Sequence, residues 1–390
     1  MSLKGAGGYI AGAWEHPTRK ATDKSVAQLH AECAKGALDD AGLTKDDVDG
    51  YFCAGDAPGM GPINMIDYLN LRVRHMDSTD IGGSSYQMLV GHALEAINAG
   101  RCNVALITLA GRPRSEGQAT GTAVRAGNPA QPDMQFEYPY GPVVANMYAM
   151  CAARHMYQFG TTSEQLAWIK VAASTHAQYN EHAMLRNVVT VEDVVNSPMV
   201  STPLHRLDCC VISDGGGALV VTKPEIAKSL KRPLVKVIGV GECPKGQMAG
   251  QVDLTYSGAR YSGPAAFEMA GVKPSDIKYA SIYDSFTITV LMQIEDLGFC
   301  EKGQGGKFVQ DGNLISGKGK LPFNTDGGGL CSNHPANRGG ITKIIEAVRQ
   351  ARGEAHPKVQ VRNANLVLAH GTGGSLGTRH GSSTVILERE

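Results

Sequence analysis

An α/β fold built from one unit used twice is what this sequence predicts, and three observations carry the prediction. Helical and strand patterns alternate along the whole chain. A segment of the first half returns in the second: ALDDAGLTKDDVDG at 37–50 is matched by FEMAGVKPSDIKY at 267–279, each a helix end, Ala-Gly, a polar turn and an aliphatic residue entering a strand. Glycine makes up 48 of the 390 residues, against a usual share of about 7%. It is gathered in short clusters beside apolar runs, which signals close approach of backbone to other backbone or to a ligand.

The elements follow in order. Residues 28–41 read as an amphipathic helix stopped by Gly42, with LTKDDVDG turning the chain toward a strand. Residues 87–99 form a second helix closed by Gly100, and CNVALITLAG at 102–111 is a buried strand. Residues 112–143 are rich in Gly, Pro, Ser and Gln without a lasting period; a loop of that length is usually a lid or a binding segment. Phe136, Tyr138 and Tyr140 within it read either as the lining of a pocket for a bulky ligand or as one short strand. TSEQ at 162–165 is a capping box that opens a long helix running toward Met184. The unit of glycines, helix and apolar strand at 82–111 returns at 327–374, where the helix is ITKIIEAVRQ and the strand NLVLAHG. Two halves are therefore expected, 1–228 with a loop region at about 112–200, and 229–390, the boundary falling near Lys223 to Leu234.

Composition excludes several classes. Lys plus Arg and Asp plus Glu are 37 each, so net charge is zero, and a nucleic-acid binder would need a standing positive field. No apolar stretch is long enough to span a membrane, and MSLKGAGGYIAGAWEHPTRK lacks the layout of a secretion signal. The nine cysteines form no CxxC, so no disulfide framework or zinc knuckle is legible, and a reduced cytoplasm is the expected location. Cys209 and Cys210 with His205 resemble a metal cluster, but adjacent strand residues point to opposite faces; no metal is expected.

Five segments, in this order and at these separations, resemble the thiolase superfamily and its sterol-carrier-protein-2-type branch: GGSSYQMLVGHALEAINAG, LHRLDCCVISDGGGALVV, YDSFT, NTDGGGLCSNHPANRGG and HGTGGSLGTRHGSSTVIL. The resemblance implies a duplicated thiolase fold, with two mixed sheets in a layered αβαβα arrangement. It also implies a dimer formed through the first half and a coenzyme A thioester as ligand, with no permanently bound cofactor. Many members of the branch work with a small subunit combining a zinc ribbon and an oligonucleotide fold, and such a partner is expected here.

Thiolases use an acyl-accepting cysteine at the head of the first-half helix, a histidine in Gly-His-Pro, and a second cysteine near the C-terminus. This sequence places Gly83 at the first position, keeps His334 before Pro335 with Asn333 in place of glycine, and puts His370 at the third. The family's Asn-Glu-Ala-Phe box reads Tyr283-Asp284-Ser285-Phe286. Gly83 has no side chain, so an acyl-cysteine there is excluded. Ser84 would need an adjacent base to act as nucleophile; Ser84 to Gln87 also fits a capping box. The backbone N–H groups of Gly83, Ser84 and Ser85, at a helix head, and those of Thr372, Gly373 and Gly374 are expected to hold oxyanions. His334 is the expected general base, with His370, Tyr283 and Asp284 as further catalytic candidates. Cys331, three residues before His334, is either an activated thiol or a small packing residue.

Three functions fit. The first is acyl transfer that makes or breaks a C–C bond β to a coenzyme A thioester. The second is a retro-aldolase on a β-hydroxyacyl thioester, a chemistry that in some relatives uses a tyrosine in the Tyr283 box and another where His334 stands. The third is a thioester-binding scaffold without catalysis.

Overall fold

The structure, a computed structural model, describes residues 7–120, 132–141, 143–246, 251–335 and 339–390. Its strands are β1 (Gly8–Glu15), β2 (Gly50–Cys53), β3 (His75–Ser78), β4 (Val104–Gly111), β5 (Met199–Ser201), β6 (Leu204–His205), β7 (Gly215–Thr222), β8 (Val235–Lys245), β9 (Tyr279–Ile282), β10 (Leu366–Ser375) and β11 (Thr378–Arg389). Nine of them form one sheet in the order β3-β2-β4-β7-β1-β8-β11-β10-β9, and β5 with β6 makes a separate small hairpin.

The order contains its own repeat. From β2 inward, neighbours run parallel (β2/β4), antiparallel (β4/β7) and antiparallel (β7/β1). From β9 inward the same three relations recur in β9/β10, β10/β11 and β11/β8. The two blocks meet where β1 pairs with β8 through Gly8↔Val237 and Tyr9↔Lys236. That short ladder is why the two expected sheets are joined into one.

Local chemistry repeats as well. The helices Val26–Ala41 and Ala259–Ala270 each end on a glycine in the left-handed region, Gly42 (φ 72°) and Gly271 (φ 70°). Such a terminus lets the chain turn without a Cβ clash. A short 3-10 turn follows in each, Lys45–Asp47 and Pro274–Asp276, and then β2 or β9.

Two further helices, Ser85–Asn98 and Gly340–Arg352, pack on strands of both blocks and form the middle layer. Leu89, Val90, Ile107 and Val221 there share one core with Ile344, Val348, Val367 and Val385. The insertion between β4 and β7 contributes the helices Val144–Phe159 and Ser163–Ala177. Although it belongs to the first half in sequence, its Tyr148, Ile169 and Ala173 pack with Ile288, Leu291 and Phe323 of the second.

Several expectations need correction. The Thr162 capping box forms, but its helix stops at Ala177 rather than continuing toward Met184. Asn180 explains the stop, because its amide donates to the Asp326 carbonyl and to Ser332 Oγ and ties the chain to the second block. The aromatic trio is helical, in Pro132–Glu137 and Tyr138–Tyr140, rather than a strand. Phe136 and Tyr140 are 77% and 86% exposed, so these two line no pocket. Within that loop, residues 121–131 and 142 lie outside the described residues.

Candidate active site

Tyr283 leaves the C-terminal end of β9, where ligands of parallel strands commonly bind, and its N–H donates to the His370 carbonyl in the adjacent β10 (3.0 Å). Gln293 fixes the Tyr283 carbonyl from the helix Thr287–Asp296 (2.8 Å). The Tyr283 ring then crosses toward the head of the first-half middle helix. A Cβ built on Gly83 would lie 2.3 Å from two ring carbons of Tyr283 and 2.4 Å from the Thr372 carbonyl oxygen. The phenol therefore fills the volume that a side chain at position 83 would need. Absence of a cysteine and presence of a tyrosine are one structural feature.

The phenolic oxygen of Tyr283 is 2.9 Å from His334 Nε2, with both side chains buried. His334 is held by its backbone N–H, which donates to Ser213 Oγ (2.8 Å). Ser213 in turn donates to Asn333 Oδ1 (2.7 Å), and the Asn333 amide donates to Glu15 (2.7 Å). Asn333, where the family motif has glycine, is thus a strut that joins the His334 segment to β1. His334 Nδ1 has no partner among the described residues. Burial pushes the imidazole down to about 4, against the attraction of the Asp284 carboxylate. It is neutral near pH 7, and its Nε2 can accept from or donate to the phenol according to tautomer.

Asp284 does not face the phenol. Its carboxylate accepts from the Gly329 and Leu330 N–H groups (2.8 and 3.1 Å) and pairs with Lys343 Nζ at 2.7 Å. Gly328 (φ 59°) is required beneath it, because a Cβ there would lie 2.1 Å from Asp284 Oδ2. Burial works against the charge on Lys343, but Asp284 and Asp326 outweigh it and hold the ammonium charged. Asp284 thus ties the turn carrying Tyr283 to the segment before His334 through the Gly329 and Leu330 N–H groups, and to the helix Gly340–Arg352 through Lys343. The sequence reading missed Lys343; its one signal is a lysine among the isoleucines of ITKIIEAVRQ.

His370 lies in β10 with Nδ1 2.8 Å from Thr384 Oγ1 and Nε2 without a partner among the described residues. Burial, reinforced by His380, lowers it to about 3. Thr372 Oγ1 is hydrogen-bonded to His380 Nε2. Gly373 lies against the backbone of Ile81 to Gly83, and Gly374 accepts from the Tyr148 hydroxyl (3.2 Å).

Three candidates stand apart from this cluster. Ser84 forms no capping box: its hydroxyl donates to the Ile81 carbonyl (2.8 Å), and the helix begins one residue later. Ser85 is likewise occupied, donating to the Gly82 carbonyl and accepting from Ile81 N–H. Cys331 is fully buried in the second-half core, and burial raises its thiol, so it stays protonated. Among the described residues no group of three or more His, Cys, Asp or Glu side chains could hold a metal ion.

Residues 241–389 match the family model described as thiolase C-terminal domain-like. The acetyl-CoA acetyltransferase of Methanothermobacter thermautotrophicus is 33% identical over 368 residues, covering 91% of this chain and 93% of that protein. The steroid side-chain-cleaving aldolase of Thermomonospora curvata is 33% identical over 365 residues, covering 90% and 92%. A solved structure, the Ltp2-ChsH2(DUF35) aldolase, superposes with a TM-score of 0.88 at 31% identity over 100% of this chain and 99% of that one. With a duplicated strand order, a glycine-headed central helix and a buried histidine at the family's His-Pro position, the chain belongs to the thiolase superfamily, in its sterol-carrier-protein-2-like branch.

Proposed function

We propose that this protein makes or breaks the C–C bond β to the carbonyl of a coenzyme A thioester, and that the geometry favours the retro-aldol form of that chemistry. One observation carries the choice: the Tyr283 ring occupies the nucleophile's volume at Gly83 and bonds to His334. In a β-hydroxyacyl thioester, Tyr283 oxygen takes the proton of the β-hydroxyl while its own proton passes to His334 Nε2. The Cα–Cβ bond breaks, Cβ becomes a carbonyl, and the electron pair rests on the thioester as an enolate. The same relay, reversed, returns the proton to Cα. Backbone N–H groups at Gly83 and Ser84 and at Thr372, Gly373 and Gly374, with the Nε2 of His370 that has no partner among the described residues, are the donors for the developing oxyanions; the Ser85 N–H is already taken by the Gly82 carbonyl. Asp284 is assigned to positioning through Lys343 rather than to proton transfer.

Acyl transfer is the second reading, favoured by the full-length relatives named acetyl-CoA acetyltransferases. It would run by direct attack of a coenzyme A thiolate on the β-carbonyl, with His334 as base. Product analysis by mass spectrometry on mixed β-oxoacyl and β-hydroxyacyl thioesters separates the two. Loss of hydroxy species without free coenzyme A is expected; loss of oxo species only when coenzyme A is added would replace the aldol reading with thiolysis.

We further propose a division near residues 228/229, a homodimeric core, and a small zinc-ribbon and oligonucleotide-fold partner. The two-component name of the solved aldolase supports a second subunit. A cytoplasmic location is consistent with nine unpaired cysteines, and no helix among the described residues is long and apolar enough to cross a membrane.

A further inference from the structure

Behind the wall that carries His334 lies a second, differently charged space. Two adjoining cavities of about 430 and 360 Å³ share Lys170, Met184, Leu185 and Leu207 in their linings. The first reaches Cys331; the second extends along Cys209 and Cys210 to Arg114 and Arg206, and Arg186 borders the first. Among the described residues no Asp or Glu lines either one. Lys170 is only 1% exposed, and its Nζ donates to the Leu330 carbonyl (2.6 Å). No carboxylate pairs with it among the described residues, and none pairs with Arg114, Arg186 or Arg206.

Several other buried or half-buried cations have a carboxylate partner: Lys343 has Asp284, Arg352 has Asp40, Arg19 has Glu15 and Arg349 has Glu346. Lys245, buried like Lys170, donates to the Asp253 and Tyr256 carbonyls and lies over the Tyr256 ring. The cysteines beside Lys170 do not match it either. Burial raises the thiols of Cys209, Cys210 and Cys331 even with the lysine nearby, so they remain uncharged. An ammonium held out of water without a counter-charge is costly, and an incoming anion removes that cost.

The cavity is also coupled to the reaction centre. Leu330, whose carbonyl takes the Lys170 bond, gives its N–H to Asp284. Cys210 N–H donates to the Ser285 carbonyl and Val211 N–H to that of Gly329. A buried cation at the inner end, apolar side chains along the walls and exposed arginines at the mouth suit a ligand with an apolar body and an anionic group.

We propose that this cavity binds an anionic group, carboxylate or phosphate, of the thioester ligand, with Lys170 as its inner contact and Arg206 and Arg114 at the entrance. The inference deepens the functional reading above and rests on it for the ligand's identity, but not for the site. These four cations are separated by up to 92 positions (114 to 206) and come together only in the fold.

The test is binding, measured by calorimetry on the full chain. Probes are inorganic phosphate, glutarate, its neutral diamide, coenzyme A and 3′-dephospho-coenzyme A, against wild type, Lys170→Met, Arg206→Glu and Tyr283→Phe. Glutarate or phosphate should bind wild type and Tyr283→Phe alike. Binding should be weakened about tenfold or more by Lys170→Met and Arg206→Glu, while the diamide binds none of them. Should Lys170→Met fail to fold, Arg206→Glu at the exposed mouth reads the same interaction. If only coenzyme A responds to the variants, the anion is a phosphate, and loss of the difference with the dephospho form identifies which one. Equal affinity of every probe for wild type and both cation variants overturns the site. Turnover retained by Tyr283→Phe would instead overturn the proposed reaction and leave the binding result standing.

Discussion

The two halves of this molecule repeat one architecture and divide the chemistry between them unequally. At the site the first half supplies mainly backbone and empty space: Gly82 and Gly83, with Ser84 and Ser85 bonded to their own turn. The second half supplies the side chains, Tyr283, Asp284, His334, Lys343 and His370. The equivalent middle helices show the same contrast. Ser85–Asn98 buries Gln87 but no charge, whereas Gly340–Arg352 buries Lys343, Glu346 and Arg352. Duplication thus lets one copy specialise in shape while the other carries charge.

The comparison is broken most directly at the side chains. Tyr283→Phe and His334→Ala should each lower turnover by about 10²- to 10⁴-fold; steady-state rates within threefold of wild type would remove the second half from the chemistry. On the shape side, Gly83→Ala places a methyl 2.3 Å from the Tyr283 ring and should cost about 10²-fold by displacing the phenol. Added to Tyr283→Phe it should cost little more, since both changes act on one group; full additivity would separate Gly83 from the tyrosine.

Charge is next. Lys343→Met leaves Asp284 buried and unpaired and should destabilise by about 3–5 kcal/mol. Gln87→Leu on the sister helix loses one bond to the Gly340 carbonyl and should cost about 1 kcal/mol. Thermal or denaturant unfolding of the two variants measures the asymmetry, and equal losses would abolish it.

Acid sharpens it further. Burial lowers His334 to about 4 and His370 and His380 to about 3. Between the unfolded value near 6.5 and these folded values, the unfolded chain binds more protons. Stability therefore falls as pH drops through that window, each histidine contributing on the order of 1–3 kcal/mol by pH 4. Melting temperature should decline steadily from pH 6.5 to 4, and a flat profile would show that these imidazoles are solvated. The smallest effect is Ser84→Ala, which removes a local bond to Ile81. It should cost about 1 kcal/mol and leave turnover within about threefold; loss of activity on the scale of His334→Ala would restore serine as a nucleophile.

Much of the fold was legible because its signals are local. The glycine after Ala41 and the one after Ala270 both announce a left-handed helix terminus, and the strand behind each is apolar. The site was half legible. His334, Tyr283 and Gly83 could be named from motif position, but not that the tyrosine ring fills the glycine's space, because that contact joins residues 200 positions apart (83 to 283). The S-x-x-Q pattern at Ser84 misled for the opposite reason: a local pattern was overridden by the tight Ile81 turn, which claims the hydroxyl first. Lys343 was hidden by its neighbours, since a lysine in an amphipathic helix ordinarily faces water.

The strand order also governs how the chain is made. β7 lies between β4 and β1, yet β4 ends at Gly111 and β7 begins only at Gly215. At a synthesis rate of roughly 5–20 residues per second, the emerging first block waits some 5–20 s for its middle strand. Through that interval β1 and β4 present unpaired edges, the form of surface most prone to pair with another chain. The second block repeats the delay, because β8 and β10 are neighbours only through β11, the last strand to emerge. Nascent copies of this protein are therefore most exposed to misassembly on the ribosome, before either half of the sheet can close.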